Sequence, residues 1–271
     1  MRARGLCVVL FFVLSKSLSA QSFSPTGSMH TPRASFTATL LPSGPTELFK
    51  TPLFTDSSLL SYWRLENDGT DSKGSNYLGA TGSVGFDAGL FGNAADFGSD
   101  NSGKIMEVNS NLGLTGGPGS ISDWFYVLTQ PANTPNVPGT LNVGEYQNIV
   151  RWSENTHNTD LFIHYENNAN VYTLVFARGR NSSATDTVTL PGQLSLNTWY
   201  HAVLTYDGTK LTGYLNGLPV GSVAASGVGS GPNPSMVAIG GHYNVSFDYF
   251  YPFKGKIDDV AVFRRHDDLR E

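Results

Sequence analysis

The sequence predicts an all-β chain that folds into a two-sheet antiparallel β-sandwich, and three observations support this prediction. After residue 57, short apolar runs alternate with Gly, Asn, Asp and Ser, and the chain contains 30 glycines among its 271 residues. No long stretch shows the apolar period of an amphipathic helix. The segment Trp199–Gly217 alternates apolar and polar residues around turns at Asp207-Gly208 and Asn216-Gly217, which is the pattern of a β-hairpin.

This hairpin predicts a half-buried antiparallel sheet, because residues two apart along a strand lie on the same face. We expect the Asp-Gly turn to set the register of the two strands. The residues expected on one face are Tyr200, Ala202, Leu204, Tyr206, Leu211, Gly213 and Leu215.

Further strands follow from the same pattern between residues 57 and 266, which we interpret as one domain. Three prolines within residues 129–144 exclude a central strand there, because proline lacks the N–H that a strand ladder needs. The predicted strands are 60–66, 94–98, 104–109, 120–128, 146–152, 160–166, 171–178, 185–190, 199–206, 210–216, 219–224, 236–240 and 256–264.

Residues 1–20 have the pattern of a secretory signal peptide, with Arg2 and Arg4 before an apolar run and small residues at 17–20. We therefore expect a secreted, extracellular protein. A membrane anchor is the alternative, but the run is shorter than the ~20 residues that span a bilayer. Cleavage would remove Cys7, the single cysteine, so the mature chain would contain no disulfide. Residues 21–56, rich in Ser, Thr and Pro, predict an extended linker, and residues 267–271 form a tail.

The composition argues against nucleic acid as a partner. The formal net charge is −5 at pH 7, and two tight basic pairs, at residues 178 and 180 and at 264 and 265, do not make a basic patch. No segment after the signal is apolar enough to span a membrane.

Four motifs in order resemble the laminin-G-like, concanavalin-A-like jelly-roll domains of the lectin and glucanase superfamily. They are the segment 59–76, the hairpin signature Trp199, His201, Tyr206-Asp207-Gly208 and Tyr214-Leu215-Asn216-Gly217, the triplet 240–242 and the segment 253–265. The likeness covers residues 57–266 and implies a jelly roll. Residues 27–44 separately resemble a kelch-type propeller strand, but a single strand closes no propeller, so we assign them to the linker.

The resemblance also implies buried tryptophans and a cation at the rim. Trp63, Trp124 and Trp199 match core positions of the family. Many relatives carry a structural calcium near the rim, and antiparallel pairing of the first and last strands would bring Glu66 beside Asp258. We expect these two residues, with nearby carbonyl oxygens, to hold Ca²⁺, which prefers oxygen ligands. The alternative is that Asp258 binds backbone N–H groups at a turn and that Glu66 is solvated.

Carbohydrate binding needs aromatic rings with amide or carboxylate groups around them. Two segments supply this chemistry, namely the strand end and loop after Arg151 and the aromatic loop 243–252. The alternative, equally open, is that these aromatic side chains only close one end of the sandwich. The predicted ligand-binding residues are Trp152, Glu154, Asn155, His157, Tyr243, Asn244, Asp248, Tyr249 and Tyr251.

Catalytic motifs are missing from the sequence. Glucanases of this fold place acids at alternate positions of one strand, whereas Asp258 and Asp259 are adjacent and should point to opposite faces. The histidines show no metalloprotease spacing, and there is no Gly-x-Ser-x-Gly elbow. We therefore predict a secreted, non-catalytic domain that binds carbohydrate through its rim loops, with calcium as an aid. The alternatives are an adhesion or spacer module that binds a cell-surface or extracellular protein and, with less support, a glycan-processing enzyme.

Overall fold

The structure is a computed structural model that describes residues 56–100, 103–114, 116–132, 145–154, 159–168, 170–181, 184–226, 235–244 and 249–264. The predicted signal peptide, the kelch-like segment 27–44 and the tail 267–271 lie outside these residues. Within them the regular structure is β-strand, so they contain no helix long and apolar enough to cross a membrane.

The described residues form 17 strands. They are β1 (Leu59–Trp63), β2 (Gly79–Thr81), β3 (Gly85–Ala88), β4 (Asn93–Asp96), β5 (Ile105–Val108), β6 (Gly119–Val127), β7 (Tyr146–Glu154), β8 (Thr159–Asn168), β9 (Val171–Asn181), β10 (Ala184–Pro191), β11 (Trp199–Tyr206), β12 (Lys210–Leu215), β13 (Leu218–Ala224), β14 (Met236–Ile239), β15 (Tyr243–Asn244), β16 (Tyr249–Phe250) and β17 (Gly255–Phe263). Every strand predicted from the sequence is present within a few residues of its predicted bounds.

Four short strands were not predicted, namely β2, β3, β15 and β16. Strands β2 and β3 are largely exposed, so they lack the apolar alternation that marks a half-buried strand. They form because β2 pairs with β5 and β3 pairs with β4. These elements are therefore set by pairing, β3 with the neighbouring β4 and β2 with the more distant β5, and not by apolar alternation.

The strands make two antiparallel sheets, which confirms the predicted β-sandwich. Sheet A has the order β13-β12-β11-β6-β17-β4-β3, with β1 also paired to β17. Sheet B has the order β10-β9-β8-β7-β14-β5-β2, and β15 and β16 pair separately. Buried residues from both sheets form one large core cluster, in which Phe125 and Leu204 of sheet A join Trp152 and Phe176 of sheet B.

Strands β11 and β12 form the predicted hairpin, and the residues predicted to share a face do so, but the pairing is shifted by two residues from the register that a two-residue Asp207-Gly208 turn would set. The turn is centred one residue later than predicted, on Gly208-Thr209, because the Asp207 N–H donates to the Lys210 carbonyl at 3.1 Å. The Asp207 carboxylate closes the turn by accepting hydrogen bonds from the N–H groups of Thr209 and Lys210. The cross-strand pairs on the core face are Ala202 with Leu215, Leu204 with Gly213 and Tyr206 with Leu211.

Gly213 on this hairpin allows close packing between the sheets. A Cβ atom at this position would lie 2.5 Å from the ring of Phe176 on sheet B. The missing side chain therefore leaves room for a large aromatic ring, and the fully buried Phe176 fills it.

Strand β17 pairs with three other strands, β1, β4 and β6. Its antiparallel pairing with β1 confirms that the first and last predicted strands are neighbours. A β-bulge lies between Asp258 and Ala261, and Asp259 within it has a φ of 46°. The bulge inserts an extra residue opposite β6, which breaks the alternation of faces at this point.

Asp123 is a carboxylic acid inside the sandwich. It lies opposite Ala202 on the core-facing side of β6 and is completely buried. Neither carboxylate oxygen has a hydrogen-bond partner among the described residues. Burial raises the pKa of Asp123 well above its ordinary value, because the charged form would lose its hydration without compensation. The folded protein therefore favours the protonated, neutral acid.

We expect Asp123 to lower the free energy of unfolding as pH rises. The stability is highest below about pH 4, where the carboxyl group is protonated in the unfolded chain as well, and it falls as pH rises from there towards the raised pKa of Asp123 in the folded protein. In Asp123→Asn, which keeps the shape without titrating, the free energy of unfolding should fall less steeply from about pH 4 to 7. Urea denaturation across this range measures both slopes. Equal slopes in the two proteins would contradict the assignment.

Candidate functional site

Five ring-bearing side chains lie together on the outer face of sheet A. Strand β6 places Trp124 and Tyr126 on this face, and β11 places His201 and Trp199 directly opposite them. Phe91, from the loop between β3 and β4, packs against Trp124. We call Phe91, Trp124, Tyr126, Trp199 and His201 the aromatic strip.

The rings of the aromatic strip contact one another in two rows. In the first row, Trp124 and His201 stack with centroids 4.7 Å apart, and Phe91 meets Trp124 edge to face at 5.7 Å. In the second row, Tyr126 and Trp199 lie 5.3 Å apart with their planes tilted by 51°. The rows are about 7 Å apart, because two residues separate them along each strand. All five side chains are half-buried, so each is held by packing and still reaches the surface.

Polar groups surround these rings. His201 Nε2 and Ser122 Oγ are hydrogen-bonded at 2.9 Å, and the Tyr126 hydroxyl donates to Asn197 Oδ1 at 3.4 Å. Asn197 itself is exposed. Burial lowers the pKa of His201 to about 4, so this ring is neutral near pH 7. The aromatic strip therefore combines apolar ring surface with neutral hydroxyl, amide and imidazole groups.

A salt bridge balances the charge beside the second row. Lys256 of β17 lies opposite Tyr126, and its Nζ donates to Asp87 Oδ2 at 2.6 Å. The hydrogen bond from Lys256 holds the pKa of Asp87 below its usual value. The lysine therefore does not present an isolated positive charge to a ligand.

The two predicted metal ligands, Glu66 and Asp258, lie on either side of the loop that carries Phe91. Asp258 Oδ2 accepts hydrogen bonds from the N–H groups of Leu90 and Phe91 at 2.9 and 3.1 Å. Glu66 Oε2 accepts from the Asn93 N–H at 2.9 Å. Asp258 therefore binds backbone N–H groups at a turn, as the alternative interpretation proposed. Glu66 is not simply solvated, as that interpretation expected, because it is half-buried and binds a backbone N–H group as well.

The expectation that Asp258 and Asp259 point to opposite faces does not hold, because the bulge breaks the alternation. Asp258 contacts the loop of Phe91, and Asp259 Oδ1 accepts a hydrogen bond from the Tyr62 hydroxyl. Burial, then the charge of Asp259, raises the pKa of Asp258 to about 8. Asp258 is nevertheless completely buried, so it does not offer a substrate an accessible carboxylate.

Hydrogen bonds occupy most of the carboxylate oxygens of Glu66 and Asp258 that could bind a cation. Of their four carboxylate oxygens, only Asp258 Oδ1 lacks a hydrogen-bond partner among the described residues. The same residues contain no group of three or more His, Cys, Asp or Glu that could hold a metal ion. As arranged here, the pair does not fit the shell of six to eight oxygens that Ca²⁺ takes. Calcium binding stays a prediction.

Trp152, predicted to bind ligand, is a core residue instead. Its side chain is only 1% exposed, and its Nε1 donates to the Asn111 carbonyl at 2.7 Å. A Cβ atom at Gly119 would lie 2.7 Å from the Trp152 ring, which shows how closely sheet A covers it. Trp152 lies on the core-facing side of β7, so it cannot serve as a surface platform for a sugar ring.

The core positions expected for tryptophan are correct for Trp63 and wrong for Trp124 and Trp199. Trp63 is completely buried, and its Nε1 donates to the Asn76 carbonyl at 2.7 Å. Trp124 and Trp199 are half-buried on the outer face, because their neighbours in sequence, Phe125 and Tyr200, occupy the core-facing positions. Two adjacent aromatic residues cannot both point into the core of a regular strand.

The remaining predicted ligand residues are only partly visible. Asn155, His157 and Asp248 lie outside the described residues, and of Glu154, Tyr243, Asn244 and Tyr249 only the strand backbone is described. Tyr251 is half-buried, with its ring 5.2 Å from that of Tyr146 and 6.3 Å from that of His242. The Tyr146 hydroxyl and His164 Nδ1 of sheet B are hydrogen-bonded at 2.7 Å. Tyr251 therefore belongs to an aromatic group that does not include Trp152.

The fold and the aromatic strip define the class of this protein as a jelly-roll β-sandwich with ring-bearing side chains on one outer face. The chain belongs to the concanavalin A-like lectin/glucanases superfamily, whose family model matches residues 97–266. This membership confirms the resemblance seen in the sequence. No curated protein matches the chain.

Several solved structures share the fold. Domain 4 of AbnA, an extracellular GH43 arabinanase from Geobacillus stearothermophilus in complex with arabinotriose, has a TM-score of 0.51 and 18% identity, covering 76% of this chain and 92% of that one. The binding domain of botulinum neurotoxin DC in complex with SialylT has a TM-score of 0.51 and 15% identity, covering 79% of this chain and 50% of that one. The chain thus spans about half of the toxin domain. At these identities the likeness shows the fold alone.

The sequence contained a signal for the aromatic strip. Strands β6 and β11 both carry ring-bearing residues two positions apart, at 124 and 126 and at 199 and 201, and this spacing places them on one face. The family resemblance assigned the tryptophans to the core and so hid this signal. The sequence contained no such signal for Phe91. Its loop is brought near β6 by long-range pairing, because β4 pairs with β17 and β17 pairs with β6.

Substitution of Trp152 should affect stability, not ligand binding. Trp152→Ala removes a buried ring and its hydrogen bond, and should lower the free energy of unfolding by about 3–5 kcal/mol. Trp199→Ala, at a half-buried surface position, should cost clearly less. Urea denaturation compares the two variants directly. A Trp152→Ala protein as stable as the wild type would contradict the core assignment.

Proposed function

We propose that this chain is a non-catalytic carbohydrate-recognition module that binds glycan on the aromatic strip. The observation that supports this most is the pair of aromatic rows, whose rings contact one another within each row and reach the surface on the outer face of sheet A. Sugar rings have apolar faces that pack on aromatic side chains, and their hydroxyl groups need hydrogen-bond partners nearby. Trp199 and Tyr126 supply ring surface, and exposed Asn197 supplies an amide.

The superfamily and its neighbours are consistent with this proposal. Domain 4 of the arabinanase was solved with arabinotriose, and the botulinum neurotoxin DC domain was solved with SialylT. One concanavalin-A-like architecture hosts both binding and catalytic chains, so the fold alone does not select between them. The burial of Asp258 excludes this residue as the catalytic carboxylate of a glycan-processing enzyme, since such a carboxylate must contact its substrate.

A neutral glycan fits the aromatic strip better than an acidic one. Lys256 is engaged by Asp87, His201 is neutral near pH 7, and the whole chain has a formal net charge of −5. An anionic sugar would meet a negatively charged protein without an isolated cation in these rows to bind it. The module is further proposed to be secreted, in line with the signal-like N-terminus.

A glycan array with the purified chain, followed by titration of the best neutral oligosaccharide, tests the proposal. Trp199→Ala should weaken binding by about tenfold, as expected when one aromatic contact is lost. Tyr77→Ala is the matched control, because Tyr77 is 59% exposed and precedes β2 of the other sheet. This variant should bind like the wild type.

Two further conditions separate the alternatives. Binding that survives EDTA would exclude calcium as an aid, whereas EDTA-sensitive binding would establish it. Absence of binding across the array by the folded wild-type protein would overturn the proposal and favour a protein-binding adhesion or spacer module. Release of reducing sugar from a bound polysaccharide would instead support an enzyme.

A further inference from the structure

The loop between β3 and β4 is hydrogen-bonded to the carboxylates of Asp258 and Glu66. We call residues 89–92 the hairpin tip; the Gly89 N–H donates to the Gly92 carbonyl at 2.9 Å and closes it. Asp258 Oδ2 accepts the N–H groups of Leu90 and Phe91, and Glu66 Oε2 accepts the Asn93 N–H just beyond the tip. Three of the four backbone N–H groups from Leu90 to Asn93 are therefore bound by side chains outside the hairpin.

The glycines of the hairpin tip show how close this contact is. A Cβ atom at Gly92, whose φ is 89°, would lie 2.3 Å from Glu66 Oε2. A Cβ atom at Gly89 would lie 2.7 Å from Asp258 Oδ2. Glycine is therefore required at both ends of the tip for the backbone to reach the carboxylates.

The same contact fixes one wall of the aromatic strip. Asp258 lies opposite Trp124 in the β17–β6 ladder, and Trp124 lies opposite His201, so the three residues form one row across three strands. Asp258 is completely buried and binds the N–H of Phe91, whose ring then meets Trp124 edge to face. The carboxylate thus acts on the strip through the position of Phe91.

We propose that Asp258, assisted by Glu66, is a positioning residue that holds Phe91 against Trp124 and so completes the ligand-binding surface at the β17 end of the aromatic strip. This inference rests on the proposed function. It assigns both carboxylates to backbone donors, as one of the two sequence interpretations did for Asp258, and not to a cation. Asp258 itself does not touch the ligand, because the hairpin tip covers it.

Two substitutions at residue 258 test whether its acceptor oxygen holds the hairpin tip. Asp258→Ala removes the acceptor for Leu90 and Phe91, whereas Asp258→Asn keeps a carbonyl oxygen of the same reach. The position of Phe91 is followed by ¹⁹F NMR of protein labelled with 5-fluorotryptophan, in which Trp124→Phe identifies the Trp124 resonance. Asp258→Ala and Phe91→Ala should both shift this resonance, and Asp258→Asn should return it close to the wild-type position.

Glycan affinity gives the second measurement. Asp258→Ala and Phe91→Ala should each weaken binding by about threefold to tenfold, the range expected for loss of one ordered aromatic contact. The double variant should lose no more than either single variant, because both changes remove the same contact. Asp258→Asn should bind within about twofold of the wild type, whereas a merely structural role would give additive losses and no such rescue.

The outcomes distinguish this inference from the proposed function. If the wild type binds no glycan, the proposed function fails, and the Trp124 resonance still tests the positioning. Should Asp258→Ala fail to fold, Gly92→Ala, which pushes the tip away from Glu66, should produce the same selective Trp124 shift. An unchanged Trp124 resonance in folded Asp258→Ala or Gly92→Ala overturns the inference. A shift of this resonance by EDTA also overturns it, since a cation would then hold the tip.

Discussion

The pairing of strand β17 with β1, β4 and β6 is the constraint on which the rest of the structure depends. It joins the closing strand to two segments near residues 60 and 95 and to the centre of sheet A. Its core-facing residues, Ile257, Val260 and Val262, are completely buried, so the pairing is stabilised by apolar burial as well as by hydrogen bonds. The outer residues Lys256 and Asp258 then flank the aromatic strip because the same pairing sets their register opposite β6.

The division of each strand into two faces explains how one sequence supplies both a core and a site. In β6, Phe125 is completely buried against sheet B, whereas Trp124 and Tyr126 lie on the outer face. The partner strand β11 repeats this arrangement, with Ala202 buried and His201 outside. The alternation that places one set of residues in the core therefore also places the rings of the aromatic strip on the outer face. Substitutions in the strip need not disturb the core.

Most of the fold could be predicted from local pattern, and most of the site could not. The β11–β12 hairpin follows from alternation and turn residues, which act over a few positions. Local pattern divides a strand into two faces, but it does not show which face points inward when both carry aromatic residues. For this reason Trp124 was predicted in the core and Trp152 on the surface, whereas the structure places them the other way round. The bulge at Asp259 depends on pairing with a strand about 130 residues away, and Phe91 contacts Trp124 from about 30 residues away. No local pattern encodes either feature.

The measurement that tests the central claim most directly is NMR mapping of glycan binding on uniformly ¹⁵N-labelled protein. The account predicts that the largest shifts occur at the backbone amides of residues 124–126 in β6 and 199–201 in β11 and at the indole N–H of Trp199. Shifts confined to the group around Tyr146 and Tyr251 would contradict it, because the glycan would then bind beside sheet B and the aromatic strip would be unoccupied.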